Sequence, residues 1–283
     1  MHPGPTPTLD TTSARYIHSY APGEQARLVR QGEFLAPWVQ PGVDFADCAD
    51  VLEVGCGVGA QLDVLLERFP ATRFTGVDIS ARQLDQARRN LAGPLAAGRV
   101  ELVEASAYRL PFPDACFDGA CTFWVLEHLD DPSRLLREAL RVLKPGGVIY
   151  CTEVFNSGLY TAPPMAGMQR WWQAFNTLQR ELGGDPDVGI RLASLLEHAG
   201  FEGASFREAS PQLDGRTRDL ARRRAFLDFW QTLLLSGAEQ LRAHGRITDD
   251  DLDALKADFA ALAENPDALF RYAAFQACGR KPL

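Results

Sequence analysis

The sequence contains no apolar run approaching the ~18 to 20 residues that a bilayer span requires. Its longest aliphatic cluster is Leu233-Leu234-Leu235, set among polar residues. It has no C-x-x-C pair among its six cysteines (48, 56, 116, 121, 151 and 278), so a structural zinc or thioredoxin-like redox site lacks its usual spacing. It has no excess of positive charge. Lys and Arg number 29 against 37 Asp and Glu, a net charge of −8 and a poor footing for a phosphate backbone. The first ten residues, MHPGPTPTLD, carry three prolines and no apolar stretch, unlike a secretory signal. There is no internal repeat and no low-complexity tract. These absences lead us to expect a cytoplasmic protein with no membrane span, no nucleic-acid partner and no metal. The cysteines, Cys116, Cys121 and Cys151 in particular, are expected to serve as small buried apolar side chains in a reducing compartment.

What is present favours a packed core. Apolar residues make up 46% of the 283 positions and aromatics 10%, enough for two domains or one enlarged domain. Leu28, Leu35, Trp38 and Val39 recur at helical spacing over 24–39. From residue 51 the texture alternates. Strands are expected at 51–54, 73–77, 100–103, 116–123 and 148–152. Between them run helices with apolar faces such as Leu62, Leu65, Leu66 and Phe69, then Leu135, Leu136, Leu140 and Leu143. Strands alternating with such helices specify a mostly parallel α/β sheet covered on both faces. Beyond residue 153 the alternation breaks. Helices are expected at 166–182, around Leu192, Leu195 and Leu196, at 217–243, and from Thr248, whose Asp251 completes a capping box. A strand is expected within 201–213, and 270–278 reads as one closing aromatic strand.

The most informative segment is Glu53-Val54-Gly55-Cys56-Gly57-Val58-Gly59, a strand that runs through a glycine loop into a helix. Asp78 follows 19 residues after Gly59, at the end of the next strand, where a carboxylate can accept both ribose hydroxyls. The spacing is G-x-G-x-G rather than the dinucleotide pattern G-x-G-x-x-G. The preceding acid, Glu53, disfavours a phosphate and suits a cationic ligand, such as a nucleoside bearing an amino acid or a sulfonium. A nicotinamide-dependent dehydrogenase is correspondingly disfavoured.

The motifs VLEVGCGVGA (51–60), GVDIS (76–80), LPFPDACFDGAC (110–121), LEHLDDP (126–132) and LRVLKPGG (140–147) resemble those of class I S-adenosylmethionine-dependent methyltransferases. The group is the one that includes the ubiquinone/menaquinone C-methyltransferases and many small-molecule N- and O-methyltransferases. The resemblance implies a Rossmann-like sheet of seven strands, mostly parallel with the last antiparallel, helices on both faces and an inserted helical cap. It implies S-adenosylmethionine as cofactor and a small-molecule acceptor whose O, N or C atom is methylated by in-line displacement. Gly55, Gly57 and Gly59 would line the methionine portion, Glu53 would position its amino group, Asp78 would hold the ribose and Ile79 would pack on the adenine. Where the family commonly has Asp before LPF, this chain has Ser106, followed by Ala107, a weaker partner for the adenine amino group. Phe123 and Trp124 follow the fourth strand, where sulfonium and substrate meet.

Residues 1–50 would form an N-terminal helical lid over a methyltransferase domain at 51–283, with cap insertions at about 154–188 and 214–267. Tyr16 and Tyr20 in the lid and His128 after the fourth strand are the catalytic candidates. Glu153 at the carboxyl edge of the sheet and Trp172 in the aromatic stripe join Trp124 as substrate-binding candidates. The arginines of 216–224 cannot share one helix face and read as solvated. A homodimer is compatible with all of this. The competing reading is a protein that binds the cofactor and regulates or partners another without turnover.

Overall fold

The computed structural model describes residues 22–283; Tyr16, His18 and Tyr20 lie outside the described residues. The elements run α1 (Pro22–Val39), β1 (Asp50–Val54), α2 (Ala60–Arg68), β2 (Arg73–Asp78), α3 (Ala81–Asn90), α4 (Ala92–Ala96), β3 (Val100–Glu104), β4 (Phe117–Phe123), α5 (Pro132–Val142) and β5 (Leu143–Val154). They continue with β6 (Tyr160–Ala162), α6 (Ala166–Glu181), α7 (Leu192–Ala199), β7 (Glu202–Glu208), β8 (Gln212–Leu213), α8 (Leu220–Leu235), α9 (Ala238–Ala243), α10 (Asp249–Glu264), β9 (Leu269–Arg271) and β10 (Ala274–Arg280).

The main sheet has seven strands in the order β3-β2-β1-β4-β5-β10-β7. The pairings from β3 through β5 are parallel, and β10 runs antiparallel to both β5 and β7. This is the Rossmann-like architecture expected, with the last strand wedged into the sheet rather than at its edge. The strands of a parallel sheet are buried on both faces, and β4 and the stretch of β5 from Val148 to Val154 are accordingly buried almost throughout. One apolar core, with Leu135, Leu136, Leu192 and Leu196, lies under α5 and α7. The other begins at Leu35 and Phe45 and continues without a break into Trp171, Phe175, Trp230, Leu255 and Phe259 of the cap helices. Cys56, Cys121 and Cys151 are buried, whereas Cys116 is partly exposed.

Two segments depart from the pattern read from the sequence. The stretch 270–278 is not one strand. Leu269–Arg271 pairs with β6 and β8 in a separate three-stranded antiparallel sheet, and Ala274–Arg280 enters the main sheet. Between them Tyr272 donates its N–H to Pro211, and Ala273 accepts from Phe155 N–H, so the chain changes sheets through two buried residues. The helix expected over 217–243 is two helices, α8 and α9, and at the break between them Gly237 sits where a Cβ would lie 2.7 Å from the Phe175 ring. Its arginines also differ in fate. Arg223 is 1% exposed and donates to the carbonyls of Asp214, Thr217, Leu262, Asn265 and Ala268, tying α8 to the end of α10. A guanidinium carries five N–H donors, which lets it stand buried against carbonyls alone.

Candidate active site

A cavity of about 540 Å³ opens at the carboxyl ends of β1, β2, β4 and β5 and reaches beneath α1, α6 and α8. In open α/β sheets ligands bind at this edge.

One half is backbone-built. The chain leaves β1 with Gly55 at φ 79° and Gly57 at φ 52°, conformations that favour glycine. Gly55 and Cys56 donate their N–H groups to Val77 at 2.7 and 2.9 Å, which holds the loop against β2. A Cβ on Gly55 would strike Val125 at 2.4 Å, but one on Gly57 would meet nothing within 4 Å, and Gly57 lines the cavity. The space beside Gly57 is therefore open for a ligand lying against the main chain. Asp78 supports the loop from the next strand. Its carboxylate accepts from Gly57 N–H at 2.9 Å and from Ser80 N–H at 2.8 Å. Burial raises its affinity for a proton, and these backbone donors oppose the rise.

Glu53 lies beneath the loop at 2% exposure, and its Oε2 has no hydrogen-bond partner among the described residues. Burial first and the nearby Asp78 second push its carboxyl up to about 8. A buried carboxyl with an unpartnered oxygen is costly unless a cation or donor arrives, so this loop fits the ammonium of an amino-acid-bearing nucleoside. Ile79, 37% exposed, lines the same space together with Ser106 and Ala107. The Ser106 hydroxyl accepts from Tyr108 N–H at 3.3 Å, so its turn is locally set.

The other half is built from side chains. Phe123 ends β4, and Trp124 follows at φ 59°, a strained conformation for a bulky residue. Both line the cavity, and the Trp124 indole N–H is buried with no partner among the described residues. Trp172 donates its indole N–H to the Asn156 carbonyl at 2.7 Å and stacks on Phe175 at 5.0 Å. Trp230 stacks on Tyr272 at 4.3 Å, and Tyr272 donates its hydroxyl to Asn156 Oδ1 at 2.9 Å. Glu127 sits among these rings, with its Oε2 accepting from Gln179 Nε2 at 2.8 Å. Burial pushes its carboxyl up to about 7. His128, beside it and in the cavity wall, is pushed down to about 4 by burial, so the imidazole is neutral at physiological pH.

The structure thus brings Glu53, Gly55, Gly57, Asp78, Ile79, Ser106, Ala107, Phe123, Trp124, His128 and Trp172 to one cavity. Gly59 packs instead against Leu91, where a Cβ would approach to 2.6 Å. Glu153 requires correction. It is fully buried and outside the cavity wall, and its Oε1 accepts from the N–H groups of Val125 and Leu126 at 2.8 and 2.7 Å. The turn after β4 leaves those donors without ladder partners, and Glu153 satisfies them. Burial first and the neighbouring Glu127 second hold its carboxyl well above the usual range, and the contacts it makes are structural. The reading of the sequence missed Arg27, Gln31, Glu127, Asn156, Trp230 and Tyr272 as parts of the wall. Glu127 stands in the LEHLDDP motif, but the contact that sets it apart, with Gln179, lies 52 positions away in the chain. Tyr272 was hidden inside a strand that proved to be two.

A family model described as a methyltransferase domain matches residues 52–151. A protein of Mycolicibacterium smegmatis named "Probable S-adenosylmethionine-dependent methyltransferase" is 32% identical over 222 residues, covering 72% of this chain and 79% of its own length. A demethylmenaquinone methyltransferase of Desulfitobacterium hafniense is 33% identical over 135 residues, covering 47% of this chain; the chain spans only about half of that relative, 51% of its length. Among solved structures, the crystal structure of the 4+2 cyclase SpnF superposes with a TM-score of 0.51 at 25% identity, covering 90% of this chain and 81% of that one.

Proposed function

Because the chain belongs to the S-adenosylmethionine-dependent methyltransferases, we propose that it transfers a methyl group from S-adenosylmethionine to a small-molecule acceptor by in-line displacement, releasing S-adenosylhomocysteine. The observation that carries this reading is the continuity of one cavity. Its glycine-loop half fits the cofactor, and its aromatic half is roomy enough for an acceptor beside it. The acceptor atom is O, N or C.

When bound, the cofactor supplies an electrophilic methyl group; the chain supplies position and environment. Glu53 and the loop hold the amino-acid end, Asp78 holds the ribose, and Ile79 covers the base. Trp124, Trp172, Trp230 and Tyr272 form the chamber in which the acceptor is aligned. Alignment of two reactants in one cavity contributes roughly 7 to 11 kcal/mol in favourable model systems, so the reaction can proceed largely on positioning. Arg27, Gln31 and Leu35 of α1 close one side of the cavity. This supports reading 1–50 as a lid over a catalytic domain whose cap insertions fall at about 154–188 and 214–267. In this proposal Tyr16 and Tyr20, outside the described residues, remain catalytic candidates, His128 sets the polarity of the site as a neutral imidazole, the setting is cytoplasmic, and homodimerisation is compatible with activity.

The test is turnover. The protein is incubated with S-adenosylmethionine and a panel of hydroxylated, amino and carbon-acid metabolites, and S-adenosylhomocysteine is quantified. Asp78→Ala should weaken S-adenosylhomocysteine binding by roughly 100-fold, the scale of losing a buried carboxylate with its charge-assisted hydrogen bonds. Unchanged affinity by calorimetry in a folded variant would overturn the site. Cofactor binding with no methyl transfer to any acceptor would favour a regulatory or partner protein instead.

A further inference from the structure

We propose that Glu127 is the proton acceptor of the acceptor chamber, oriented by Gln179 and ionised when a cationic sulfonium occupies the adjoining half of the cavity. The proposal rests on the reading of that cavity as a methyltransferase site.

The geometry singles out this carboxyl. Glu127 lines the cavity four residues after Phe123, in the single helical turn Leu126–His128 that follows β4. One oxygen is held by Gln179 Nε2 at 2.8 Å, and its backbone carbonyl accepts from Asp185 N–H at 2.8 Å. The other oxygen, Oε1, lies 3.8 Å from His128 Nε2. A carboxylate with one oxygen anchored and the other at the wall of a reaction chamber is placed to take a proton. Glu153, another buried acid nearby, is outside the cavity wall, and its Oε1 serves the backbone of Val125 and Leu126.

The charged and titratable groups around Glu127 come from five directions. Arg27 on α1 favours its ionised form, although that guanidinium is already paired with Glu24 and bonded to Gln31. Asp185, after α6, opposes ionisation. Glu153 on β5 and Tyr272 before β10 are buried, and each is held protonated in part by the charge of Glu127. His128 is neutral. With desolvation dominant, the Glu127 carboxyl stands at about 7, half protonated near neutrality, whereas His128 at about 4 holds a proton poorly.

A unit positive charge within about 10 Å in such surroundings lowers a carboxyl's proton affinity by roughly tenfold. Glu127 would therefore shed its proton as the sulfonium form is loaded. The chemistry then balances in charge. The acceptor's X–H proton passes to Glu127, X forms its bond to the methyl carbon, and the S–CH₃ bond breaks with its electron pair left on sulfur. A sulfonium and a carboxylate enter the step, and a neutral thioether and a neutral carboxylic acid leave it.

The test is calorimetric and needs no acceptor. Full-length protein is titrated with S-adenosylmethionine and separately with S-adenosylhomocysteine at pH 7, each in phosphate and in Tris. The difference in heats between buffers gives the protons released. Both nucleosides carry the same amino acid and ribose, so the direct contacts of Glu53 and Asp78 are common to both, and Glu127→Gln isolates the part of the difference that belongs to Glu127. S-adenosylmethionine should release roughly 0.4 more protons per site than S-adenosylhomocysteine. Glu127→Gln should remove most of that difference. In the wild type the difference should peak near pH 6.5, midway between the free and the loaded carboxyl, a requirement that stands even if a variant fails to fold. Equal release by the two nucleosides, or a difference undiminished in Glu127→Gln, would overturn the role of Glu127 while leaving the methyltransferase reading intact. Failure of both nucleosides to bind would overturn the methyltransferase reading first, and this inference with it.

Discussion

The cofactor half of the cavity draws on one stretch of chain, residues 53 to 79, with Ser106 and Ala107 added from the loop after β3. The acceptor half gathers Arg27, Trp124, Glu127, Asn156, Trp172, Trp230 and Tyr272 from elements spread over almost the whole described chain. In the first half the binding groups are mainly backbone, with Gly57 open to the cavity and its N–H tied to Asp78. In the second they are side chains held by other side chains, as Gln179 holds Glu127 and Asn156 holds Tyr272. A site made of local backbone tolerates little change in residue type but much change elsewhere. A site made of distant side chains can be re-specified by exchanging rings while the fold persists.

Three measurements press on that contrast. The largest effect is expected from Trp230→Ala. This fully buried ring packs on Tyr272, Phe270 and Phe229, and its removal should cost about 3 to 5 kcal/mol of stability in denaturant unfolding. Where the variant remains folded, its affinity for S-adenosylhomocysteine should stay within about threefold of wild type. A large loss of cofactor affinity would show that the two halves are not separable.

Gly57→Val is the converse test. It places a branched side chain at φ 52° and in the space left for the cofactor. Affinity should fall by at least roughly tenfold, with only about 1 to 2 kcal/mol of stability lost. Unimpaired binding in calorimetry would mean that the ligand does not lie against the loop.

The smallest effect is the pH dependence of the unliganded protein. Glu53 keeps its proton up to about 8 when folded, and Glu127 up to about 7, against an ordinary value of 4.5. The folded state then binds more protons than the unfolded state, so stability falls as pH rises from 4.5 toward 8. His128 acts in the opposite sense between about 4 and 6.5, because its folded form resists charging. The clearest window is therefore pH 6.5 to 8, where Tm should decline by about 4 to 8 °C. Glu53→Gln should flatten the decline, and a wild-type Tm that rises through this window would contradict the buried, uncompensated state of Glu53.

Much of the architecture was legible because it follows from periodicity. The strand and helix alternation from residue 51 to 153 matches β1 to β5 and their helices, and Thr248 caps the helix it was expected to cap. The failures occurred where tertiary contacts overrode local pattern. Residues 270–278 have uniform strand character, yet the turn at Tyr272 and Ala273 sends them into two sheets. The region 217–243 has continuous helical periodicity, yet the Phe175 ring and Gly237 meet at its break. Arg223 belongs to a run of surface-like arginines, yet unsatisfied carbonyls at the end of α10 draw it inside.

The sequence by itself determined the cofactor half. A strand that ends in glycines, an acid before them and an acid on the next strand are local features, and backbone sterics leave few other ways to arrange them. Tertiary structure alone decided what the acids of the other half do. Glu127 and Glu153 lie at similar places at the sheet's carboxyl edge, and nothing in their neighbours along the chain distinguishes them. Glu153 is turned inward because two N–H groups in the turn after β4 need an acceptor. Glu127 is left at the cavity wall because a glutamine on α6, 52 positions away, holds it there. A buried carboxyl takes its role from whichever donors the fold brings to it, and those donors are set by packing between elements remote in sequence.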